Sequence, residues 1–445
     1  MRAGLRGAFW VGLSLLLLSG CNTGGPGGSV VSLGGGIGGT GLSYGPITAF
    51  GSVFVNGVEF DMKDALANNQ VLVDGQPVAS QSALGLGMVV AVTGSFNPDH
   101  RTGTAVKIEY YDDLQGPVQS AAPAAGTLKL LNLTVETDIQ TIFKGDAGFT
   151  VDPTANLTVL ANLAAQGTVY VEVSGLWNPN GRLHATRIDV KKNFTGDAEI
   201  RGPINELDAN GQGTLGLRGV PVRYQGANLQ VQMQNGVYVE AYGSFDAAAN
   251  AFTANRIVQD EASVASKYKT LEGQKVELQG LVANLDTAAK TFTISGVPMS
   301  YAAAKIESET GNTFTLANGA QVEIKGKVQN GVLELTRMEG ENNAPANSGT
   351  GVLVNISTTP VKGTDPAKHQ VLLDLNPNDP AAVLTVALTP TTVFEDKRNL
   401  GLPLNYDSAF GTTPVALQAG DRLEVDGYRD PATGVVTALR IEVKS

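Results

Sequence analysis

The chain has 445 residues, a length that is too great for one ordinary domain and predicts several hydrophobic cores. Its formal charge is −11, so it lacks the excess of lysine and arginine that binds nucleic acid through phosphate contacts. Its 54 glycines and its charged fraction of only 16% favour short strands and turns over long helices, and its one cysteine excludes intrachain disulfides and cysteine-based zinc clusters. The composition therefore predicts an all-β chain with no nucleic-acid partner.

The N-terminal segment has the order of charges and apolar residues of an export signal. Arg2 and Arg6 precede an apolar stretch from Phe9 to Leu18, which is too short to cross about 30 Å of hydrocarbon as a permanent helix. The next residues complete the sequence Leu-Ser-Gly-Cys, which resembles the bacterial lipobox and implies a lipid anchor on Cys21. An ordinary secretory signal that ends in an incidental cysteine is the alternative.

The lipobox resemblance also implies a destination and a tether. Asn22 stands where an aspartate would retain a lipoprotein at the inner membrane, so an outer-membrane lipoprotein of the cell envelope is expected, with the leaflet left open. Glycine dominates the stretch after Asn22, and such a composition does not bury enough apolar surface to fold. We expect a signal peptide over residues 1–20 and a flexible tether over residues 21–43.

One strand pattern recurs five times in the rest of the chain. Each copy ends in a glycine, and the residues two and four before that glycine are apolar, which is the period of a half-buried strand. The copies are VVAVTG to Gly94, VYVEVSG to Gly175, VYVEAYG to Gly243, QVEIKG to Gly326 and RLEVDG to Gly427. A turn and a second strand motif follow each glycine: AVKIEY, ATRIDV, ANRIVQ, LTRMEG and ALRIEV. Each copy therefore predicts a β-hairpin.

The spacing of the hairpins predicts five modules of about 70 to 100 residues. Their expected bounds are 44–113, 114–198, 199–266, 267–345 and 346–445. Alanine clusters predict a short helix or loop at residues 64–68 and 161–165. Since an open sheet of this size would leave an apolar face in water, we expect each module to close into a small OB-like barrel. A pair of small sheets packed as a sandwich is the alternative.

The opener GGTGLSYGPITAFGSVFVNGVEFD from Gly38, followed by YYDDLQGPVQS from Tyr110, resembles the bacterial secreted and lipoprotein family known as domain of unknown function 5666. The resemblance is clearest in the first two modules and weakest in the fifth. It implies tandem β modules on a lipid anchor, and it brings no known activity and no catalytic residues.

The residues that most often carry chemistry are scattered. His100, His184 and His369 show no metal-ligand spacing, and we expect them to be solvated turn residues without a metal or a cofactor. Asp112 and Asp113 end the first hairpin. A calcium site is one interpretation of these residues and of the carboxylates on the last strand pair, and solvated carboxylates are the preferred interpretation. The carboxylates of that strand pair are Asp421, Glu424 and Asp426.

A cation recurs at one position of the second strand motif. The five cations are Lys107, Arg187, Arg256, Arg337 and Arg440. We expect each to point out of its module, beside a glutamate in modules two to five: Glu172, Glu240, Glu323 or Glu424. One interpretation is a cross-strand ion pair or an edge charge that prevents aggregation. The other is a row of cations that binds an acidic polysaccharide through many weak contacts.

Aromatic residues recur two positions after the anchor glycine. Phe96, Trp177, Phe245 and Tyr428 occupy this position, and Val328 replaces them in the fourth copy. Trp177 and Tyr428 are candidates to stack on sugar rings, although capping of the barrel end is the preferred interpretation.

These patterns predict a lipid-anchored, non-enzymatic scaffold or binding arm, in which five modules extend from the membrane and bind a glycan or an envelope protein. The alternative is an envelope polysaccharide hydrolase whose carboxylate pair has no recognisable spacing. Its unusual polar residues would concentrate in the insertions of the fifth module, at residues 359–382 and 397–414.

Overall fold

Most of the chain beyond the predicted tether is described by the computed structural model. The described residues are 40–50, 52–99, 101–145, 149, 153–191, 194–208, 213–308, 314–340, 352–375, 382–389, 392–398, 404–406, 408–410, 415–430 and 433–444. The predicted signal peptide, Cys21, Asn22 and His100 lie outside these residues.

The first barrel shows the strand order that the other four repeat. Strand β1 pairs antiparallel with β6, β6 with β7, β7 parallel with β3, and β3 with β2, and a bridge from Ala49 to Phe54 closes the ring. This closed order, with a parallel contact between the third and the last strand, is that of an OB-like barrel. Barrel 1 contains β1 (Thr40–Pro46), β2 (Val53–Val55), β3 (Val58–Asp61), helix α1 (Lys63–Ala67), β4 (Val71–Val73), β5 (Gln76–Pro77), β6 (Val89–Phe96) and β7 (Thr102–Tyr110).

The second and third barrels close in the same way. In barrel 2 the ring runs β8, β9, β10, β13, β12, and in barrel 3 it runs β14, β15, β16, β19, β18. Barrel 2 contains β8 (Leu114–Ala122), β9 (Thr127–Leu130), β10 (Leu133–Glu136), β11 (Ile142–Lys144), α2 (Pro153–Gln166), β12 (Tyr170–Trp177) and β13 (Leu183–Lys191). Barrel 3 contains β14 (Ala198–Asn205), β15 (Thr214–Leu217), β16 (Val220–Arg223), β17 (Asn228–Gln230), β18 (Tyr238–Asp246) and β19 (Ala251–Gln259), and is followed by α3 (Val264–Lys267).

The fourth and fifth barrels complete the set. Barrel 4 contains β20 (Lys275–Leu281), β21 (Ala283–Asp286), β22 (Thr291–Ile294), β23 (Val297–Ser300), β24 (Lys305–Ser308), β25 (Gln321–Gln329) and β26 (Val332–Gly340). Barrel 5 contains β27 (Val352–Asp365), β28 (Gln370–Asp374), β29 (Val383–Ala387), β30 (Val393–Asp396), β31 (Arg422–Arg429) and β32 (Val436–Lys444). Short 3-10 turns occur at Gln81–Ala83, Pro123–Ala125, Tyr268–Thr270, Pro366–Lys368 and Ser408–Phe410. The prediction of an all-β chain of small OB-like barrels is confirmed.

The strand pattern read from the sequence places the cores correctly. The ten apolar residues two and four before the anchor glycines are all fully buried, so the inward face of each hairpin is the predicted one. Both alanine clusters lie in helices, α1 and α2. They lie between the third barrel strand and the long hairpin. Among the described residues, no helix is both long enough and apolar enough to cross a membrane.

Strand pairing joins barrels to one another, and one of these pairings is between barrels distant in sequence. Strand β1 pairs in parallel with β20, which joins barrels 1 and 4 into one sheet, and β8 pairs with β14, which joins barrels 2 and 3. Barrel 1 also contacts barrel 2, where the Val89 amide donates to the Ser174 hydroxyl at 2.8 Å, and barrel 5, where the Tyr428 hydroxyl donates to the Thr48 carbonyl at 2.7 Å. The barrels are therefore not strung one after another, and the prediction of an extended arm is wrong.

Strand β1 begins at Thr40 and includes the last four residues that were assigned to the tether. Gly41 needs to be glycine there because an added Cβ would overlap the Lys275 carbonyl oxygen of barrel 4. This glycine serves a close approach of two strands, and glycine content alone does not distinguish that role from a flexible tether.

Candidate ligand-binding faces

Every barrel carries a β-bulge at its anchor glycine. In barrel 1, Thr93 pairs with Lys107 and Gly94 pairs with Ala105, which leaves Val106 unpaired. The same one-residue shift in pairing register occurs in the other four hairpins. An added Cβ on any of the five glycines would overlap a carbonyl oxygen of the opposite strand, so the bulge explains why each copy of the motif ends in glycine.

The bulge turns three side chains to the same side of each barrel, and we call these three the bulge face. They are the residue before the glycine, the unpaired residue and the recurring cation. The bulge faces are Thr93, Val106 and Lys107 in barrel 1; Ser174, Thr186 and Arg187 in barrel 2; Tyr242, Asn255 and Arg256 in barrel 3; Lys325, Thr336 and Arg337 in barrel 4; and, among the described side chains, Leu439 and Arg440 in barrel 5.

The bulge face of barrel 2 is buried against barrel 1. Arg187 is only 1% exposed, and its Nη1 donates to the Leu86 carbonyl of barrel 1 at 2.9 Å. Its Nε and Nη2 bind both oxygens of Asp189, at 2.5 and 2.8 Å. Thr186 donates its hydroxyl proton to the Gly87 carbonyl at 2.6 Å. This bulge face therefore holds the main chain of barrel 1.

The bulge face of barrel 5 binds the same segment. Arg440 is 3% exposed, lies over the Phe50 ring at 5.2 Å, and donates from Nη1 to the Leu84 carbonyl at 3.4 Å. Leu439 packs on the core of barrel 1. Two barrels thus use equivalent faces to hold residues 84–87 of barrel 1. Arg187 and Arg440 thus point out of their own modules, as expected, but they contact barrel 1 and not solvent.

We call the bulge faces of barrels 2 and 5 docked and those of barrels 1, 3 and 4 open. The residues beside the cation differ between the docked faces and the open faces of barrels 3 and 4. On the adjacent parallel strand, Arg187 pairs with Ile142 and Arg440 pairs with Val393, and both apolar residues pack on the core of barrel 1. The equivalent residue is Asn228 in barrel 3 and Lys305 in barrel 4. Docked faces are therefore flanked by apolar residues, and these two open faces are flanked by polar ones.

The open face of barrel 1 carries an internal ion pair. The Lys107 side chain is 31% exposed and its Nζ lies 2.7 Å from a carboxylate oxygen of Glu109. Lys267 pairs with the other oxygen of that carboxylate. The unpaired residue of this face, Val106, is 61% exposed. The ion-pair interpretation of the recurring cation therefore fits Lys107, although the partner lies on the same strand and the pair is not a cross-strand one.

The open face of barrel 4 lines a cleft of about 520 Å³. Barrel 1 supplies the other wall through its β2–β3 and β6–β7 turns. Arg337 is 44% exposed and pairs with Glu339 at 2.8 Å and with Glu307, while Lys325 donates to the Asn56 carbonyl of barrel 1 at 3.3 Å. The residues that line the cleft are Asn56, Gly57, Asp99, Arg101, Lys275, Glu323, Lys325, Thr336, Arg337 and Glu339.

Cations and carboxylates alternate around this cleft. Four cations and three carboxylates line it, so hydrogen-bond donors and acceptors lie side by side without a large excess of either charge. Burial raises the pKa of the Glu323 carboxyl although Lys325 opposes the shift. Arg101 is exposed on the wall that barrel 1 supplies. The lining suits a ligand that both donates and accepts hydrogen bonds.

The aromatic candidates are used inside the protein. Trp177 is 8% exposed, donates from Nε1 to Asp113 at 2.9 Å, and is covered by the Arg218 guanidinium at 4.2 Å from its ring centre. Tyr428 is half-buried, and its hydroxyl binds barrel 1. Phe96 packs edge-on against Phe60. Sugar stacking is therefore wrong for Trp177, and capping of the barrel end is the interpretation that fits it.

A buried ionic junction between barrels escaped the sequence analysis. Arg201 of barrel 3 is 8% exposed and donates to the Tyr111 carbonyl at 2.9 Å and to Asp260 at 2.8 Å. Glu199 is 4% exposed, and among the described residues its Oε1 has no hydrogen-bond partner. Burial, and then the charge of Glu240, raise the pKa of Glu199 well above its usual value. The sequence feature that could have indicated this junction is the pair of charged residues at positions 199 and 201, inside a strand that is buried on both faces.

Asp112, Asp113 and His184 lie in more enclosed sites than predicted, whereas His369 is an exposed turn residue, as expected. Asp112 and Asp113 are 2% and 6% exposed, and Asp112 accepts a hydrogen bond from the Tyr110 hydroxyl at 2.6 Å, so their assignment as solvated residues is wrong. His184 lies on β13 and pairs with Asp138 at 3.2 Å, and His369 stacks on Tyr406. Within the described part of the chain, no group of three or more histidine, cysteine, aspartate and glutamate residues is arranged to hold a metal ion.

Glu424 joins barrel 5 to barrel 2. Its carboxylate lies 3.0 Å from Lys144 of barrel 2 and 2.8 Å from Lys444 of its own barrel. Burial by itself would raise the pKa of Glu424, but Lys144 and Lys444 outweigh it and lower the pKa to about 2. The ionised carboxylate therefore stabilises the contact between these two barrels at neutral pH.

Replacement of Glu424 by glutamine is expected to lower the free energy of unfolding at pH 7 by about 2–3 kcal/mol. The stabilisation by the ionised group is complete above the pKa of an unfolded glutamate and is lost as the pH falls towards 2. Urea unfolding of parent and Glu424→Gln at pH 7, 4 and 3 measures the effect. A difference between the two proteins that stays constant with pH would contradict the assignment.

The fold and the bulge faces define the class of this protein: a tandem array of OB-like barrels whose hairpin bulges either dock on another barrel or remain open. Three regions match the model of the domain of unknown function DUF5666, namely residues 115–189, 279–339 and 382–442. The resemblance found in the sequence is confirmed over these three regions. The matched regions lie in barrels 2, 4 and 5, so the expectation that the resemblance is clearest in the first two modules and weakest in the fifth is not met.

Comparisons with curated proteins and with solved structures give little further information about this chain. No curated protein matches the chain. The chain is similar to a solved structure titled "drosophila Unr CSD456", with 12% sequence identity over 55% of this chain and 96% of that chain and a TM-score of 0.12. A likeness this weak carries no argument about this protein.

Proposed function

We propose that the protein is a non-enzymatic binding protein of the bacterial cell envelope, anchored to the outer membrane through lipidated Cys21, and that it binds a glycan in the cleft between barrels 1 and 4. The observation that carries the proposal is the lining of that cleft. Sugar hydroxyls donate and accept hydrogen bonds, and neighbouring hydroxyls on a ring match planar guanidinium, amide and carboxylate groups. Arg101 and Arg337 supply guanidinium groups, and Asp99 and Glu339 supply carboxylates, at one place.

The cleft also has the position expected of a binding site between rigid bodies. Its two walls belong to barrels that share the β1–β20 strand pairing, so the walls are held at a fixed separation without a ligand. A preformed site loses little conformational freedom when it binds. The proposed anchor places this site outside the cytoplasm, where envelope glycans are present.

The test is a glycan array probed with the full chain carrying Cys21→Ser, which removes the acylated residue. Glycans bound by this protein are then titrated against a variant that also carries Arg101→Ala and Arg337→Ala. We expect the affinity to fall at least about 10-fold, since two charged hydrogen-bond donors are removed. Lys107→Ala is the matched control, because this cation lies on an open bulge face outside the cleft, and it is expected to bind as the parent does.

Two results would contradict the proposal. Binding that is unchanged in the double variant, or a protein that binds no glycan at all, would remove the cleft as a glycan site. Retention of the Cys21→Ser protein in the membrane fraction would contradict the lipid anchor and would leave the assignment of the cleft standing.

A further inference from the structure

The recurring cation has an acidic residue two positions after it in four of the five copies. These residues are Glu109, Asp189, Glu339 and Glu442. Lys107, Arg187 and Arg337 each pair with the acid on their own strand. In barrel 3 the equivalent residue is Val258, so Arg256 is the recurring cation whose strand lacks the acid.

Arg256 is nevertheless held in one orientation. Its guanidinium carbon lies over the Tyr242 ring, 3.7 Å from the ring centre, and the Tyr242 hydroxyl donates a 2.7 Å hydrogen bond to Glu240. The side chain is half-buried, and among the described residues its guanidinium has neither an ion pair nor a hydrogen-bond acceptor. Stacking occupies the face of the guanidinium and leaves the edge that carries its five N–H groups.

The surroundings of Arg256 are polar. Asn228 pairs with Arg256 on the adjacent parallel strand, and the unpaired bulge residue is Asn255, whose Nδ2 donates to Asp197 at 2.9 Å. Both asparagines are exposed. Where this protein docks the same face on protein, the flanking residues are apolar, as Ile142, Val393 and Leu439 are. The face of barrel 3 lacks that apolar rim and offers amides instead.

We infer that the bulge face of barrel 3 is a binding subsite for the carboxylate of an acidic glycan, such as a uronic acid. Arg256 donates two parallel N–H groups to the carboxylate, in place of the acid that the other barrels carry on their own strand. Asn228 and Asn255 bind the hydroxyls of the same sugar. This inference rests on the proposed function and names its ligand class, at a site distinct from the cleft.

The sharpest test restores the missing acid. Val258→Asp gives Arg256 an internal partner two residues away, as in barrel 2, without truncating the arginine. The Cys21→Ser chain is titrated with hexagalacturonate by calorimetry, and Val258→Asp is expected to weaken binding at least about 10-fold, the effect of losing one charged hydrogen-bonded pair. Val258→Asn is the matched control and is expected to bind as the parent does. Thermal melting of each variant shows that it is folded.

Three results would overturn the inference. The first is equal binding of hexagalacturonate by the parent and by Val258→Asp. The second is equal binding of hexagalacturonate and neutral maltohexaose by the parent. If the Arg101→Ala and Arg337→Ala substitutions then abolish this binding, the glycan site in the cleft is supported and only the carboxylate subsite on barrel 3 is contradicted. The third is an affinity for hexaglutamate equal to that for hexagalacturonate. This result would assign the subsite to acidic protein segments.

Discussion

Replacement of Gly175 by alanine is expected to lower the free energy of unfolding of barrel 2 by about 2–4 kcal/mol. The reason is steric, because the new Cβ would overlap the His184 carbonyl oxygen across the bulge. The main chain must then move at the point where Ser174 and Thr186 contact barrel 1. Urea unfolding followed by Trp177 fluorescence measures the loss, since this tryptophan is buried in barrel 2.

Gly167 provides the control for this substitution. It lies in the same barrel, and a Cβ added there would meet nothing within 4 Å. Gly167→Ala is expected to change stability by less than about 0.5 kcal/mol. A Gly175→Ala protein as stable as Gly167→Ala would show that the bulge does not require glycine.

Replacement of Arg187 by methionine is expected to cost about 3–5 kcal/mol, because it removes a buried cation and leaves the partly buried carboxylate of Asp189 without its partner. Asp189 would lose both of its guanidinium hydrogen bonds, and the Leu86 carbonyl of barrel 1 would lose its donor. The free energy of unfolding from urea titrations of the parent and the variant gives the measurement. The effect is expected to be among the largest of any single substitution outside the barrel cores.

Two further variants separate docking from a general effect of the recurring arginine. Arg256→Met, at the equivalent open position of barrel 3, is expected to lower stability by no more than about 1 kcal/mol, since the stacked guanidinium has an exposed edge. Adding Asp189→Leu to Arg187→Met is expected to recover much of the loss, because a buried apolar pair avoids the desolvation of an unpaired charge. Equal losses at positions 187 and 256 would contradict the division between docked and open faces.

The hairpins were predictable from the sequence because the alternation of apolar residues has the period of a strand and recurs at a fixed glycine. The inward residues, such as Val171 and Val173, follow directly from that alternation. The closed barrel was predictable because five short amphipathic strands have few other ways to bury one face.

The fate of each recurring cation was not predictable from one motif. Arg187 and Arg337 occupy the same position in nearly the same local sequence, yet one is 1% exposed and the other has a 44% exposed side chain. The difference comes from the barrel that packs against each face, and that packing depends on residues distant in sequence. The apolar neighbours Ile142 and Val393 were a visible signal, but their meaning requires the parallel strand pairing that places them beside Arg187 and Arg440.

The pairing of barrels 1 and 4 was hidden for a related reason. The strand that makes it contains Gly41 and begins within a glycine-rich stretch, so composition indicated a tether up to residue 43. Glycine permits both flexibility and a close approach of two strands, and only the partner strand distinguishes the two. The buried Arg201 and Asp260 are likewise separated by 59 residues, and no local pattern relates them.

The recurring position therefore serves two purposes in one chain. Barrels 2 and 5 use it to hold barrel 1, while barrels 3 and 4 present it to solvent with polar neighbours. Repeats that fold alike can diverge in this way because a docked face and an open face differ in only two or three side chains. The proposed ligand-binding sites are the open faces of barrels 3 and 4.

Arginine-specific modification of the folded protein by a dicarbonyl reagent, read by peptide mass spectrometry, tests this division most directly. Arg256 and Arg337 are predicted to react at rates near those of exposed arginines, and Arg187 and Arg440 are predicted to react only after unfolding. Modification of all four arginines at similar rates in the folded protein would contradict the account.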